Sequence, residues 1–244
     1  MRTIFDNYIE NSFDSSRQAD FKLAHFEFNY RQHFPEAGSQ VLDIGVGRGE
    51  MLSCMSNWQM DYEGVDISPS TVRFCQSLEL NCQLIDDTPS WLKERAGRYA
   101  MITVLDVLEH IPADSLVDFA AAVHAGLRPG GRAIFQVPNL QAPFGWLHHF
   151  NDITHVHGFV EHSLKQVLHS AGFSNLQFHG FEEIVGGRFR DYCHKGARRA
   201  FWSLTRFLRA VNTSPNPKLL HPVFYCLAEK KNVVNKKNNR DLCN

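Results

Sequence analysis

Val41-Leu42-Asp43-Ile44-Gly45-Val46-Gly47-Arg48-Gly49-Glu50 is the stretch whose reading decides the fold. An apolar run closes on an acid, glycine then takes every second position, and Met51 to Trp58 follows with a helical pattern. Glycine suits a turn where the backbone must adopt positive φ or approach a ligand closely. A strand feeding such a loop and then a helix N-terminus is the plan of a nucleotide site in an open parallel sheet. Gly-x-Gly alone is a weak signal, because turns collect glycine for many reasons. The acid two residues before Gly45 and the third glycine at Gly49 lengthen the pattern. They also separate it from the dinucleotide fingerprint, where the last glycine comes three residues after the second and no fixed acid precedes the first.

Moving outward, strand and helix patterns alternate. Tyr62-Glu63-Gly64-Val65-Asp66-Ile67-Ser68 reads as a second strand ending in an acid, with Ser68, Pro69 and Ser70 marking the next helix start. Asp66 falls where a doubly wound fold places its ribose-binding acid, and two carboxylate oxygens can accept from both ribose hydroxyls. The alternative is an aspartate that caps its own helix. Ile67 beside it is a candidate for the adenine face. Cys82 to Asp87 reads as a third strand with two acids at its end, and Tyr99 to Leu105 as a fourth. The fourth is nearly continuous in apolar residues, as central parallel strands are. It leads into Asp106-Val107-Leu108-Glu109-His110-Ile111-Pro112. A helix is expected over Asp114 to Leu127, then a turn at Pro129-Gly130-Gly131 and a fifth strand from Arg132 to Val137. This alternation implies an α/β fold with a parallel sheet.

The glycine loop, the successive strand-end acids, Leu-Glu-His-Ile-Pro and Leu-Arg-Pro-Gly-Gly together resemble class I S-adenosylmethionine (SAM) methyltransferases over residues 36 to 180. The resemblance implies a Rossmann-like, doubly wound sheet of seven strands, mostly parallel with an antiparallel last strand. It implies SAM as methyl donor and S-adenosylhomocysteine as product. It places Asp43, Gly45 and Gly47 around the methionine portion and Asp66 on the ribose, with Gly49 and Ile67 counted among the cofactor-binding residues. Asp86 or Asp87, with Thr88, would lie near the adenine amino group, Asp87 being preferred. Leu105 and Asp106 would lie by the sulfonium.

The stretch from Pro138 to His157 is too long for a connector and poor in helix or strand signals. Long loops at this edge of a parallel sheet tend to carry function. Its Asp152-x-Thr154-His155, with Ala171-Gly172-Phe173 beyond, resembles the branch common in bacterial surface-polysaccharide biosynthesis. Transfer from a sulfonium is an in-line displacement that depends on proximity, and a hydroxyl acceptor must also lose its proton. His155 is the first candidate base, with Asp152 as its orienting partner, and His110 the second. Histidines that merely close the loop are the alternative. No metal is expected, because the histidines between 148 and 157 lack paired ligand spacing on a helix.

The remaining regions are less specific. Residues 1–38 are expected to form a helical cap, whose His25, Tyr30 and Arg31 suit a solvated helix face. The core spans 39–185, with a sixth strand over Asn175 to Phe181. A basic helical insertion covers 186–221, the last strand 222–229, and a disordered tail 230–244. In the insertion, Ala197, Phe201, Leu204, Leu208 and Val211 form a stripe beside Arg188, Arg190, Lys195, Arg198, Arg199, Arg206 and Arg209. Such a helix can lie on an anionic membrane surface or hold a phosphate-bearing acceptor; the alternative is packing on the domain with a solvated basic face.

A formal net charge of −1 gives no global pull toward nucleic acid. Cysteines at 54, 75, 82, 193, 226 and 243 are scattered without a Cys-x-x-Cys pair, which implies reduced thiols in the cytoplasm. Early charge at the N-terminus argues against a signal peptide, and no apolar run reaches the roughly 20 residues of a spanning helix. The expectation is a cytoplasmic O-methyltransferase for a sugar of a lipid-linked or nucleotide-linked surface glycan. The alternatives are a methyltransferase for a small metabolite or quinone precursor, or a non-catalytic SAM-binding regulator.

Overall fold

A computed structural model describes residues 19–184 and 189–232. Seven strands form one sheet: β1 Gln40–Ile44, β2 Asp61–Asp66, β3 Cys82–Leu84, β4 Tyr99–Leu105, β5 Leu127–Pro138, β6 Ser174–Gly180 and β7 Val223–Glu229. Their order is β3-β2-β1-β4-β5-β7-β6. The first five are parallel, and β7 runs antiparallel to both β5 and β6. The helices are α1 Ala19–Tyr30, α2 Glu50–Asn57, α3 Pro69–Ser77, α4 Thr88–Lys93, α5 Leu116–Gly126, α6 Gly145–Phe150, α7 Glu161–Ser170 and α8 Phe189–Val211. The expected α/β architecture is present.

The central strands supply two cores because successive side chains leave a strand on opposite faces. Leu42, Ile44, Ile102, Val104, Ala133, Phe135 and Val137 enter one layer with α5 and α7. Val41, Met101 and Ile134 enter the other, with Tyr30 from α1 and Met51, Leu52 and Met55 from α2. Gly64 on β2 is pressed by this second layer: a Cβ there would lie 2.7 Å from Leu52 Cδ1 and from Val46 Cγ1. Gly64→Ala is therefore expected to lower stability by about 1–3 kcal/mol, the cost of overpacking. A denaturant midpoint equal to wild type would show that the layer yields freely.

Several boundaries differ from the sequence reading. β3 stops at Leu84 because Asp87 begins the next helix, accepting from Ser90 N–H at 2.8 Å as its N-cap. β5 starts at Leu127, so Pro129-Gly130-Gly131 is an irregular part of the strand rather than a preceding turn. Gly130 N–H donates to the Lys230 carbonyl, Lys230 N–H donates to Gly131, and Lys230 Nζ donates to the Leu127 carbonyl at 2.6 Å. Lys230 is thus anchored on the sheet, and 233–244 of the expected tail lie outside the described residues, as do 1–18 of the expected cap. The solvated face expected at His25 and Tyr30 is absent, because both are buried. His25 Nε2 accepts from Ile184 N–H at 3.0 Å, and Tyr30 packs edge-on to Tyr225. Arg31 lies over the Trp58 ring.

The basic helix does not pack with its apolar stripe inward and its basic face solvated, as the packing alternative has it. Its inward side carries Arg198, bound to Glu182 and Glu183 at 3.4 and 3.7 Å, and Trp202 against His221. Arg206 and Arg209 donate to the carbonyls of Lys218 and Pro215. Carboxylates and loop carbonyls on the domain select the guanidinium side, so Phe189, Leu204, Phe207, Leu208 and Val211 face solvent. Among the described residues no helix is long and apolar enough to cross a membrane.

Candidate active site

The cofactor half of the site sits where the carboxyl ends of β2, β1 and β4 lie side by side, the crevice that open α/β sheets use for ligands. Gly45, Gly47 and Gly49 have φ of 77°, 51° and 77°, a left-handed backbone that glycine adopts without penalty. Gly49 is the N-cap of α2, so the loop presents backbone N–H groups at a helix N-terminus. Asp66 ends β2 and is half-buried; it accepts from Ser68 N–H at 2.8 Å, and burial raises its pKa to about 6. Ile67 is 49% exposed and free to lie against a base. Asp43 is buried beneath the loop, accepts from Thr103 Oγ1 at 2.6 Å, and has its pKa pushed up by burial to about 7. Its carboxylate braces β1 against β4. Asp87 caps its helix through Oδ2; both it and Asp86 are exposed, and Thr88 is buried. Leu105 is half-buried, and Asp106 turns out of β4 with φ of 54°.

Asp106 begins the acceptor half. Gln136 Nε2 donates to its Oδ2 at 2.9 Å, and Tyr30 OH donates to Gln136 Oε1. One turn on, Leu108–His110 form a short 3-10 helix that places Glu109 and His110 at the end of the sheet. The long loop is tied down there by backbone contacts: Val156 and His157 N–H both donate to the Glu109 carbonyl, at 2.8 and 3.1 Å. Farther back Asn139 bridges to Phe159, and its amide donates to the carbonyls of His221 and Leu219. These anchors bring His155 against His110, with ring centroids 4.7 Å apart.

The partners differ from those expected. Asp152 accepts from Thr154 N–H at 2.8 Å and Thr154 Oγ1 at 2.6 Å, and Thr154 Oγ1 lies 2.8 Å from His110 Nδ1. The hydroxyl proton is committed to the carboxylate, so His110 Nδ1 must be the donor to Thr154. Through Thr154, Asp152 thus orients His110, while its carbonyl accepts from His155 N–H at 3.2 Å. Burial lowers the His110 pKa to about 4, so its ring is neutral near pH 7. His155 Nδ1 donates to the His149 carbonyl at 3.0 Å, and its Nε2 lies 4.0 Å from Glu109 Oε1. Glu109 is 1% exposed, and burial followed by the Asp106 charge raises its pKa well above the carboxylate range.

Sequence reasoning did not single out Glu109, Thr154 or Gln136. The Asp106–Glu109 spacing directly after a strand was the signal available for the first. A separate cleft between α1 and the β6–β7 edge, lined by Gln32, His179, Tyr225 and His221, contains none of the strand-end acids.

Residues 17–178 match the Methyltransf_23 family, described as a methyltransferase domain. The ubiquinone biosynthesis O-methyltransferase of Xanthomonas axonopodis pv. citri is 29% identical over 108 residues, covering 42% of this chain and 44% of that protein. The chain spans about half the length of the curated relatives it matches. A SAM-dependent methyltransferase from Archaeoglobus fulgidus superposes with a TM-score of 0.68 at 20% identity, covering 93% of this chain and 99% of that one. The phosphoethanolamine N-methyltransferase 2 of Haemonchus contortus, in complex with SAM, gives 0.59 at 15% identity, covering 95% and 57%. The crevice built by the glycine loop, Asp66 and Ile67 is thus that of a chain belonging to the methyltransferase-domain family, with SAM as its cofactor.

Proposed function

We propose that this protein methylates a hydroxyl oxygen on a small, largely apolar acceptor of the quinone-precursor type. The supporting observation is the run of exposed apolar side chains on the long loop that carries His155. Phe144, Trp146, Phe150 and Ile153 of the long loop are all more than half exposed, and Phe144 stacks on Phe201 of α8 with centroids 6.3 Å apart. Phe144 thereby links the loop to the apolar residues of α8. An exposed patch of this kind marks a binding surface. A lipid-linked sugar is the second reading, favoured by Arg190 and Arg199, which are exposed on α8 and suit a phosphate.

In the reaction the acceptor O–H bond breaks and the oxygen attacks the SAM methyl carbon. The C–S bond pair stays on sulfur, giving S-adenosylhomocysteine, and the hydroxyl proton leaves through the pocket. The glycine loop and Asp66 hold the donor; Asp86, exposed beside the cap at Asp87, takes the adenine amino group. His155 and His110 are the pair that manages that proton.

The test is S-adenosylhomocysteine release with a prenylated catechol, a simple phenol and a polyprenyl-phosphate sugar, each offered free and in anionic vesicles. Turnover is expected with the prenylated catechol. Turnover confined to the sugar would establish the second reading. SAM binding without turnover on any acceptor would point to a regulator.

A further inference from the structure

We propose that Glu109, His110 and His155 form a binding site for one divalent transition-metal ion, placed to hold the acceptor oxygen. One donor atom from each of the three lies within 4.8 Å of the other two. Small side-chain rotations would close this to the ~3.3 Å between neighbouring ligands of a tetrahedral ion with bonds of ~2.0–2.1 Å.

The Glu109 carboxylate carries the argument. It is 1% exposed, and neither of its side-chain oxygens has a hydrogen-bond partner among the described residues. Buried polar atoms are nearly always satisfied, and an unpaired buried carboxylate is among the costliest groups a fold can keep. A cation between Glu109 and His155 would relieve it. The 4.0 Å from His155 Nε2 to Glu109 Oε1 is too long for a hydrogen bond and leaves room to draw both onto an ion.

The surroundings resemble a ligand-orienting shell. Metal-binding histidines characteristically donate their other ring nitrogen to a carbonyl, or to a carboxylate directly or through a hydroxyl, which fixes the tautomer. His155 Nδ1 does so to the His149 carbonyl, which leaves its lone pair at Nε2, on the Glu109 side. His110 Nδ1 does so through Thr154 to Asp152. The Glu109 carbonyl pins the loop that carries His155, so one residue sets both the register of the loop and the first ligand. Asp106 and Asp152 add negative potential at Glu109. Two imidazoles and one carboxylate suit zinc, manganese, cobalt or iron better than magnesium, which prefers oxygen ligands. The histidine spacing in sequence argued against a metal, because the ligands come from two separated segments.

The catalytic part of this inference rests on the O-methylation reading: a bound cation lowers the pKa of an oxygen it holds and orients it, with no redox step. Binding itself is tested without turnover. Chelator-treated full-length protein is titrated with Co2+, followed by visible absorption, and with Mn2+, followed by loss of the free-ion paramagnetic resonance signal. One ion per chain is expected, with affinity falling at least about tenfold in Glu109→Gln and in His155→Ala. SAM affinity measured by calorimetry on the same samples should persist, which shows that the variants are folded. Absence of Co2+ and Mn2+ binding in the wild type, or wild-type affinity in both variants, overturns the site. Metal binding as expected, with no acceptor methylated, leaves the site standing and rejects the O-methylation reading. Full methylation rates in the presence of chelator reject the catalytic role.

Discussion

His155→Ala is expected to lower methyl transfer by about 100-fold or more, the usual range for losing proton management, whether the ring takes the proton itself or holds the cation that acidifies the hydroxyl. SAM affinity should stay close to wild type, because His155 is held by the long loop and not by the glycine-loop crevice. The pinning contacts from Val156 and His157 to Glu109 are backbone bonds and survive the substitution, so the loss is not a matter of loop collapse. His110→Ala should also be damaging, since the Thr154–Asp152 relay exists to orient that ring. Single-turnover measurements at saturating SAM give the comparison. If His110→Ala proves much worse than His155→Ala, His110 is the principal group and His155 a loop contact.

Asp66→Ala should weaken SAM binding at least about tenfold, since each lost charge-assisted hydrogen bond is worth roughly 1.5–3 kcal/mol. Its pH dependence has a definite sign. Burial raises Asp66 from 3.8 to about 6 in the free protein, so the carboxylate that accepts from the ribose is lost as pH falls through about 6. Affinity should therefore be full near pH 8 and decline below pH 6. Stability of the free protein moves the other way: ionising a carboxylate whose folded pKa is raised costs stability, so this residue destabilises as pH rises from about 4 to about 6. Asp43, raised to about 7, adds to the same stability trend. Asp66→Asn separates the two acids, because it should abolish the Asp66 part of the pH slope in calorimetric SAM affinity. An unchanged slope would assign that dependence elsewhere.

What was legible in the sequence is local. Left-handed glycines at 45, 47 and 49, the Ser68 cap and the unbroken apolar run of β4 are each decided within a few residues. Backbone sterics and the period of two along a strand operate at that range, so the order of elements, the donor crevice and the position of Asp66 could be read directly. The Asp87 cap is local as well, yet the sequence reading prefers Asp87 for the adenine amino group, and the Ser90 contact shows it capping its helix. What only the tertiary structure decided involves partners far apart in the chain. Thr154 meets His110 across 44 residues, and Glu109 accepts from the loop backbone through its carbonyl while its carboxylate faces the His155 imidazole at 4.0 Å. The orientation of α8 belongs to the same class. Its wheel has a basic side and an apolar side, and hydrophobicity alone would turn the apolar side inward. Glu182, Glu183 and the carbonyls of Pro215 and Lys218 reverse that choice, because on this surface the domain offers acceptors for guanidinium groups instead of an apolar groove.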